Sequence, residues 1–373
     1  MYLAYFYELV EHRVMPLSLP DSYEASFDKW LDYVAENLAG NPKISSYGMP
    51  YHKTIDGRLD EADFQNMFNK MIDKNIELRK AGSDVDLFKK LFCYFGAICD
   101  EPTVDRYPVV RETDLIVSRT KISLAERLND YPDLKESLLA LKHVVTTTYD
   151  DSLVGTDTEG GVQTWCPLFD KFNSADFRVL MKERQQSVER ANGENVWWYG
   201  CIFPTSPYPS YHTDAKLITS RALMWMQYDY GVEGNLYWNA CYYSGYQNKS
   251  SVARDLWKDP LSWENCNGDG QLLYPGKEYG IKRPISTLRL ESIRESNEDY
   301  EYLWLFEQKI EEYNRQNNTS LSANELLQTY FSSLYTNMIP QTDSEVFANT
   351  RLQLLEALEK IYVDTAAVSE LAK

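Results

Sequence analysis

An uncharged run from Leu91 to Cys99 ends abruptly in Asp100, Glu101 and Pro102. The proline biases Glu101 toward an extended backbone and stops a strand there. Two acids at the end of an apolar strand can have their proton affinities pushed apart by burial and mutual repulsion. One then donates a proton while the other stays ionised. General acid–base chemistry is what this pair could do, and a solvated strand end is the alternative. A second Asp-Glu pair, Asp60-Glu61, reads as the exposed start of a helix. Asp150-Asp151 is a weaker candidate pair, for which a solvated loop is the better reading.

Other chemistries find less support. His12, His52, His143 and His212 make no metal-ligand spacing, and no G-x-S-x-G turn is present for serine catalysis. Cys93, Cys99, Cys166, Cys201, Cys241 and Cys266 form no C-x-x-C pair, so a zinc site is not suggested. Several lie in apolar stretches and read as buried free thiols. Neither a metal nor a cofactor is expected. With 38 basic against 56 acidic residues the net charge is −18, which repels phosphate backbones and anionic membrane surfaces. Nucleic acid is therefore excluded as a partner. No segment reads as a membrane-spanning helix, which needs about 20 predominantly apolar residues.

The elements that must position the acid pair alternate. Strand candidates are residues 12–15, 44–49, 91–98, 143–149, 162–168, 196–203 and 235–241, rich in Val, Ile, Tyr, Trp and Thr. Helical stretches between them are 22–38, 59–80, 124–141, 175–191 and 212–230; Leu59, Phe64, Met67, Phe68, Met71 and Ile72 recur at helical spacing. Alternation implies a parallel sheet, and an eight-stranded (β/α) barrel is the nearest common solution. The chain opens on a helical segment, 2–11, so strand one is expected upstream of Met1. A doubly wound sheet would carry a G-x-G-x-x-G turn, and none occurs. A long insertion is expected after residue 241, then helices at 285–315, 323–337 and 344–365. The domain reading is a barrel over 1–310 with C-terminal helices, 311–373, packed on it.

Aromatics make up 14% of the chain, including 28 Tyr and 9 Trp. Trp165, Trp197-Trp198-Tyr199 and Tyr237-Trp238 fall on three consecutive strand candidates. Each ring alone could fill the core; together they favour a carbohydrate site. Alternate strand residues face opposite sides, so about half would face the barrel interior.

Longer motifs carry a family resemblance. Cys99-Asp100-Glu101-Pro102 resembles the Asp-Glu-Pro motif of glycoside hydrolase family 123, and Gly234-Asn235-Leu236-Tyr237-Trp238 is similar to its glycine-leucine-tyrosine-tryptophan strand. Asn267-Gly268-Asp269-Gly270 through Gly276 resembles its "NGDG-LLYPG" segment. Arg289-Leu290-Glu291-Ser292-Ile293-Arg294, followed by Glu298-Asp299-Tyr300-Glu301-Tyr302-Leu303, resembles its C-terminal helix. The resemblance covers residues 1 to about 310.

It implies an exo-acting β-N-acetylgalactosaminidase with a barrel catalytic domain, normally preceded by a β-sandwich that this chain does not contain. It implies a retaining, substrate-assisted mechanism on a glycan or glycolipid. In it Asp100 orients the sugar's acetamido group, Glu101 is the acid and then the base, and no metal is needed. Tyr199 and Trp238 are expected to cradle the sugar, with Trp165 and Trp198 as further walls. Arg289, Glu291, Arg294 and Glu298 read as an ion-pair network holding the last helix. The chain shows no signal peptide; the resemblance suggests export to the periplasm or cell surface if the full-length protein carries one. The competing class is a non-catalytic carbohydrate-binding or scaffold protein, a decayed or truncated glycosidase barrel.

Overall fold

The structure is a computed structural model that describes residues 2–50, 53–243 and 255–371. His52 lies outside the described residues. The chain divides into two compact units, Met1–Leu168 with Leu180–Trp198, and Phe169–Val179 with Tyr199–Lys373.

The fold is α/β, with strands β1 (Tyr47–Gly48), β2 (Leu91–Tyr94), β3 (His143–Val145), β4 (Thr164–Trp165), β5 (Asn195–Gly200) and β6 (Gly234–Tyr237) adjacent in sequence order. Parallel partners are Tyr47 with Leu91, Cys93 with His143, Val144 with Thr164, and Thr164 with Asn195. The boundary between the units falls within β5, whose Tyr199 and Gly200 belong to the second unit, as does β6. Helices Glu61–Lys80, Tyr107–Leu124, Ala175–Gln185 and Leu217–Asp229 lie in the connections between strands. A parallel connection requires such a crossover.

Among the described residues this sheet has six strands, a partial barrel order rather than the expected closed eight-stranded barrel. Six of the seven candidates form, at shorter lengths than the sequence suggests. Residues 12–15 do not. The helix Tyr2–Glu11 ends there, with Arg13 N donating to Val10 O at 2.9 Å and Val14 N to Leu9 O at 3.0 Å. Arg13 takes a positive φ of 61°, so these residues terminate a helix rather than start a strand.

In the first unit, Asp60 caps Glu61–Lys80 by accepting from Ala62 N at 3.1 Å and Asp63 N at 3.3 Å. Phe64, Met67, Phe68, Met71 and Ile72 are buried along that helix; Phe64 meets Phe95 edge-on at 5.7 Å. Burying each such side chain stabilises by about 1.5–3 kcal/mol.

In the second unit, helix Leu217–Asp229 packs on Leu288–Asn317 through small residues, with Ser220 Oγ 3.2 Å from Ser292 Oγ and Ser296 Oγ donating to Arg221 O at 2.8 Å. Asp299, fully buried in that layer, accepts from Arg221 Nε at 3.0 Å, Trp225 Nε1 at 3.2 Å and Arg351 Nε at 2.5 Å. After residue 241 come short antiparallel ribbons, Leu261–Trp263 with Cys266–Asn267 and Leu273–Tyr274 with Ile285–Ser286. No helix of the described residues is long and apolar enough to cross a membrane.

Candidate active site

The run leading to the acid pair is not one strand. β2 ends at Tyr94, and Gly96–Cys99 form a single helical turn, with Ile98 N donating to Phe95 O at 2.7 Å. The chain then rejoins the sheet edge, where Asp100 makes an isolated parallel bridge with Thr146, just past the end of β3. This is the C-terminal edge of the strands, where barrel enzymes carry their chemistry.

Thr146 organises the pair. Its backbone N donates to Cys99 O at 3.0 Å, and its carbonyl accepts from Glu101 N at 3.1 Å. Its hydroxyl lies 3.0 Å from Asp100 Oδ1 and 3.1 Å from Cys99 O, and accepts from Glu101 N at 2.9 Å. A hydroxyl has one proton, so it can donate to only one of the two oxygens at a time. Tyr94 Oη also donates to Asp100 Oδ1, at 2.9 Å. Burial first, and then the Asp100 charge, push the Tyr94 phenol well above its ordinary range, so it stays a proton donor. Both contacts fall on Oδ1 of the exposed Asp100.

Glu101 is exposed and has φ +45°, a region uncommon for non-glycine residues. Such backbones cost roughly 1–3 kcal/mol and cluster at functional sites. Two hydrogen bonds from Glu101 N to Thr146 hold it there, against the extended backbone that the following Pro102 favours.

Asp60 and Glu61 begin a helix, as read from sequence, and Glu61 pairs with Arg119 at 2.9 Å. Asp150 caps the turn Asp151–Leu153 by accepting from Ser152 N at 2.9 Å, and Asp151 accepts from Tyr149 Oη at 2.6 Å. That pair shapes its own loop.

The aromatic candidates divide. Trp165 and Trp198 are both fully buried. Trp165 Nε1 donates to Glu194 at 2.6 Å, and its ring packs on Tyr149 at 5.3 Å. Tyr199 is buried and Trp238 is 42% exposed, both in the second unit. There Asp269, fully buried, accepts from Tyr237 Oη at 2.8 Å and Trp238 Nε1 at 2.9 Å. Tyr237 Oη accepts in turn from Gly270 N at 2.7 Å. Gly268 and Gly270 both have positive φ, and a Cβ on Gly268 would stand 2.0 Å from Thr213 Oγ1, so this loop requires its glycines.

His212 Nε2 lies 2.7 Å from Cys201 O and 3.7 Å from Asp269 Oδ1. Burial opposes charging the ring, but Asp269, Cys266 and the Cys201 carbonyl outweigh it, and its pKa rises to about 10.

Part of the expected ion-pair network forms. Arg294 pairs with Glu291 at 3.2 Å and Glu298 at 3.9 Å. Arg289 does something else: it is buried and donates to the carbonyls of Tyr211 at 2.9 Å, Gln271 at 2.6 Å and Gly268. It stands two positions from Glu291, off that helix face, and fastens the Asn267–Gly270 loop. Cys93, Cys99, Cys166 and Cys266 are buried free thiols, as expected.

Tyr94 and Thr146 were missed by sequence reading. Tyr94 stood inside the quoted run, but nothing there marked its hydroxyl as aimed at Asp100.

The fold is an α/β domain with a parallel strand order and two adjacent acids at the C-terminal edge of its strands. The model of the glycoside hydrolase 123 catalytic domain matches residues 107–306, and the chain belongs to that family. The matched stretch begins after Asp100 and Glu101. A solved family 123 glycoside hydrolase from Clostridium perfringens, whose structural analysis addressed glycolipid glycan hydrolysis, is similar at 14% identity and TM-score 0.46. The alignment covers 92% of this chain and 56% of that one. A comparison with curated proteins gave no match.

Proposed function

We propose that the protein is a retaining exo-glycoside hydrolase that removes a terminal β-linked N-acetylgalactosamine, or a related 2-acetamido sugar, by substrate-assisted catalysis. Family membership supports glycoside hydrolysis. The observation that carries the mechanism is the fixing of Asp100 Oδ1 by Tyr94 and Thr146, beside Glu101 on the same strand-end turn.

Ordinary retaining enzymes place two carboxyl groups about 5–5.5 Å apart across the scissile bond. Neighbouring residues are poorly suited to opposite faces of a sugar. Substrate assistance removes that demand. The acetamido carbonyl oxygen attacks the anomeric carbon while Glu101 gives its proton to the departing oxygen. The resulting oxazolinium ion is held through its N–H by Asp100 Oδ2, whose negative charge offsets the positive ring. Glu101, now ionised, takes a proton from water as that water attacks the anomeric carbon and reopens the ring. Two inversions leave the configuration retained. Tyr94 and Thr146 keep Asp100 aimed.

The test is release of a chromogenic phenol from a β-N-acetylgalactosaminide, with the first anomer followed by NMR and a thiazoline mimic of the intermediate as inhibitor. Retention and competitive inhibition are expected. A covalent glycosyl-enzyme trapped on any carboxylate refutes substrate assistance. Saturable sugar binding without hydrolysis would make the protein a carbohydrate-binding module.

A further inference from the structure

The acid pair uses the C-terminal edge of the strands in the first unit. The opposite edge of those strands carries a cavity of about 190 Å³, lined by Lys121, Lys142, Asp157, Gln163, Arg190 and Asn192 among others. Lys142 immediately precedes β3 and Gln163 precedes β4. All of these residues belong to the first unit.

Three of the lining residues are cations, in a chain of net charge −18. Buried charges are ordinarily paired. The carboxylates here are engaged by Arg190: Nη2 is 2.8 Å from Asp114 Oδ2, and Nη1 is 3.3 Å from Asp157 Oδ1. Asp114 also accepts from Gly161 N at 2.9 Å, and Asp157 from Ala191 N at 3.2 Å. Arg190 is 4% exposed, and its Nε is buried without a partner.

Lys121 is 5% exposed, and its Nζ donates to a neutral acceptor, Leu141 O, at 2.5 Å. An ammonium has three protons to donate. Lys142 Nζ lies 2.5 Å from the Asn195 amide oxygen, also neutral. Burial pulls the Lys121 ammonium down to about 8, against the attraction of Asp114 and Asp157. Two deeply buried cationic side chains thus border a partly open space with donors to spare.

We propose that this cavity binds a small tetrahedral oxyanion, phosphate or sulfate or the end group of a small ester of either, held by Lys121 and Arg190 with Lys142 at its rim. The cavity volume leaves room for a short organic tail beside the anion, and Leu139 and Ile122 on its wall suit one.

The test is calorimetric titration of the full chain with inorganic phosphate, inorganic sulfate and glycerol 3-phosphate, at constant ionic strength in a chloride buffer. Saturable one-site binding is expected, with a matching rise in Tm. An ester bound tenfold more tightly than phosphate identifies a phosphorylated metabolite; equal affinities identify the free anion. Lys121→Met should weaken binding at least tenfold, and its melting curve shows whether it is folded. Should that variant fail to fold, the half-buried Lys142→Gln should weaken binding several-fold. No saturable binding of any of the three probes, or a folded Lys121→Met with unchanged affinity, overturns the proposal.

Discussion

The Thr146 hydroxyl lies 3.0 Å from Asp100 Oδ1 and 2.9 Å from the Glu101 amide nitrogen. One buried side chain on the neighbouring strand therefore touches both members of the acid pair. Thr146→Val keeps the shape and removes the hydroxyl. Asp100 loses a donor and Glu101 N–H keeps only the Thr146 carbonyl. A net hydrogen bond contributes about 0.5–1.5 kcal/mol, so a modest loss of stability is expected. The fall in kcat should be larger, about 10- to 100-fold, because both acids lose alignment. Melting and kinetics on the same preparation decide it; wild-type kcat in a destabilised Thr146→Val would make Thr146 purely structural.

Glu101→Gln should lower turnover of substrates with poor leaving groups by about 100- to 10,000-fold, the usual contribution of a positioned acid. Substrates with acidic phenols need less protonation and should lose less in the first step. Equal losses across a leaving-group series would show that Glu101 is not the acid.

Glu101→Gly separates strain from function. Glycine adopts φ +45° without the side-chain penalty. The variant should be inactive yet melt at or above the wild type, by up to about 1 kcal/mol. A clear drop in thermal stability would mean that the Glu101 side chain itself holds the fold.

His212 predicts a pH signature. Its folded pKa, near 10, lies above the ordinary 6.5, so the folded state holds a proton that the unfolded state releases. That stability is complete below 6.5 and is lost as pH rises toward 10. Lys121 works the other way: with its pKa depressed to about 8, it makes stability rise between 8 and its ordinary 10.5. The His212 effect is thus cleanest between pH 6.5 and 8, where stability should fall by about 1–2 kcal/mol. Urea melts of wild type and His212→Gln across that window check it; a stability gap that does not change with pH sinks the assignment.

The acid pair was legible in sequence because an uncharged run stopped at it. Its supports were not. Tyr94 reaches Asp100 only because the turn Gly96–Cys99 folds the chain back, and Thr146 reaches it only through pairing of strands 46 residues apart. Parallel register leaves no local mark. Residues 12–15 looked strand-like because a helix end and a short strand share apolar and polar neighbours, and the left-handed Arg13 is invisible in composition. The helix at Glu61–Lys80, with its long periodic stripe and Asp60 cap, was read almost to the residue. Arg289 was misassigned because charge spacing along a helix says nothing about carbonyls brought in by a distant loop.

Asp269 gives the Tyr237–Trp238 pair of the second unit a kind of wiring. Its two oxygens each accept one hydrogen bond, one from the Tyr237 hydroxyl and one from the Trp238 indole. An amide at position 269 would set its NH₂ against one of those donors, so Asp269→Asn is a reversal of polarity rather than a mild change. Trp238 is partly exposed and looks dispensable. Replacing it with a smaller residue would strip a partner from a carboxylate that solvent does not reach. A Trp238 library therefore also tests the satisfaction of a buried carboxylate. Candidates that keep an N–H or O–H where the indole stood, His or Gln, should dominate the folded survivors.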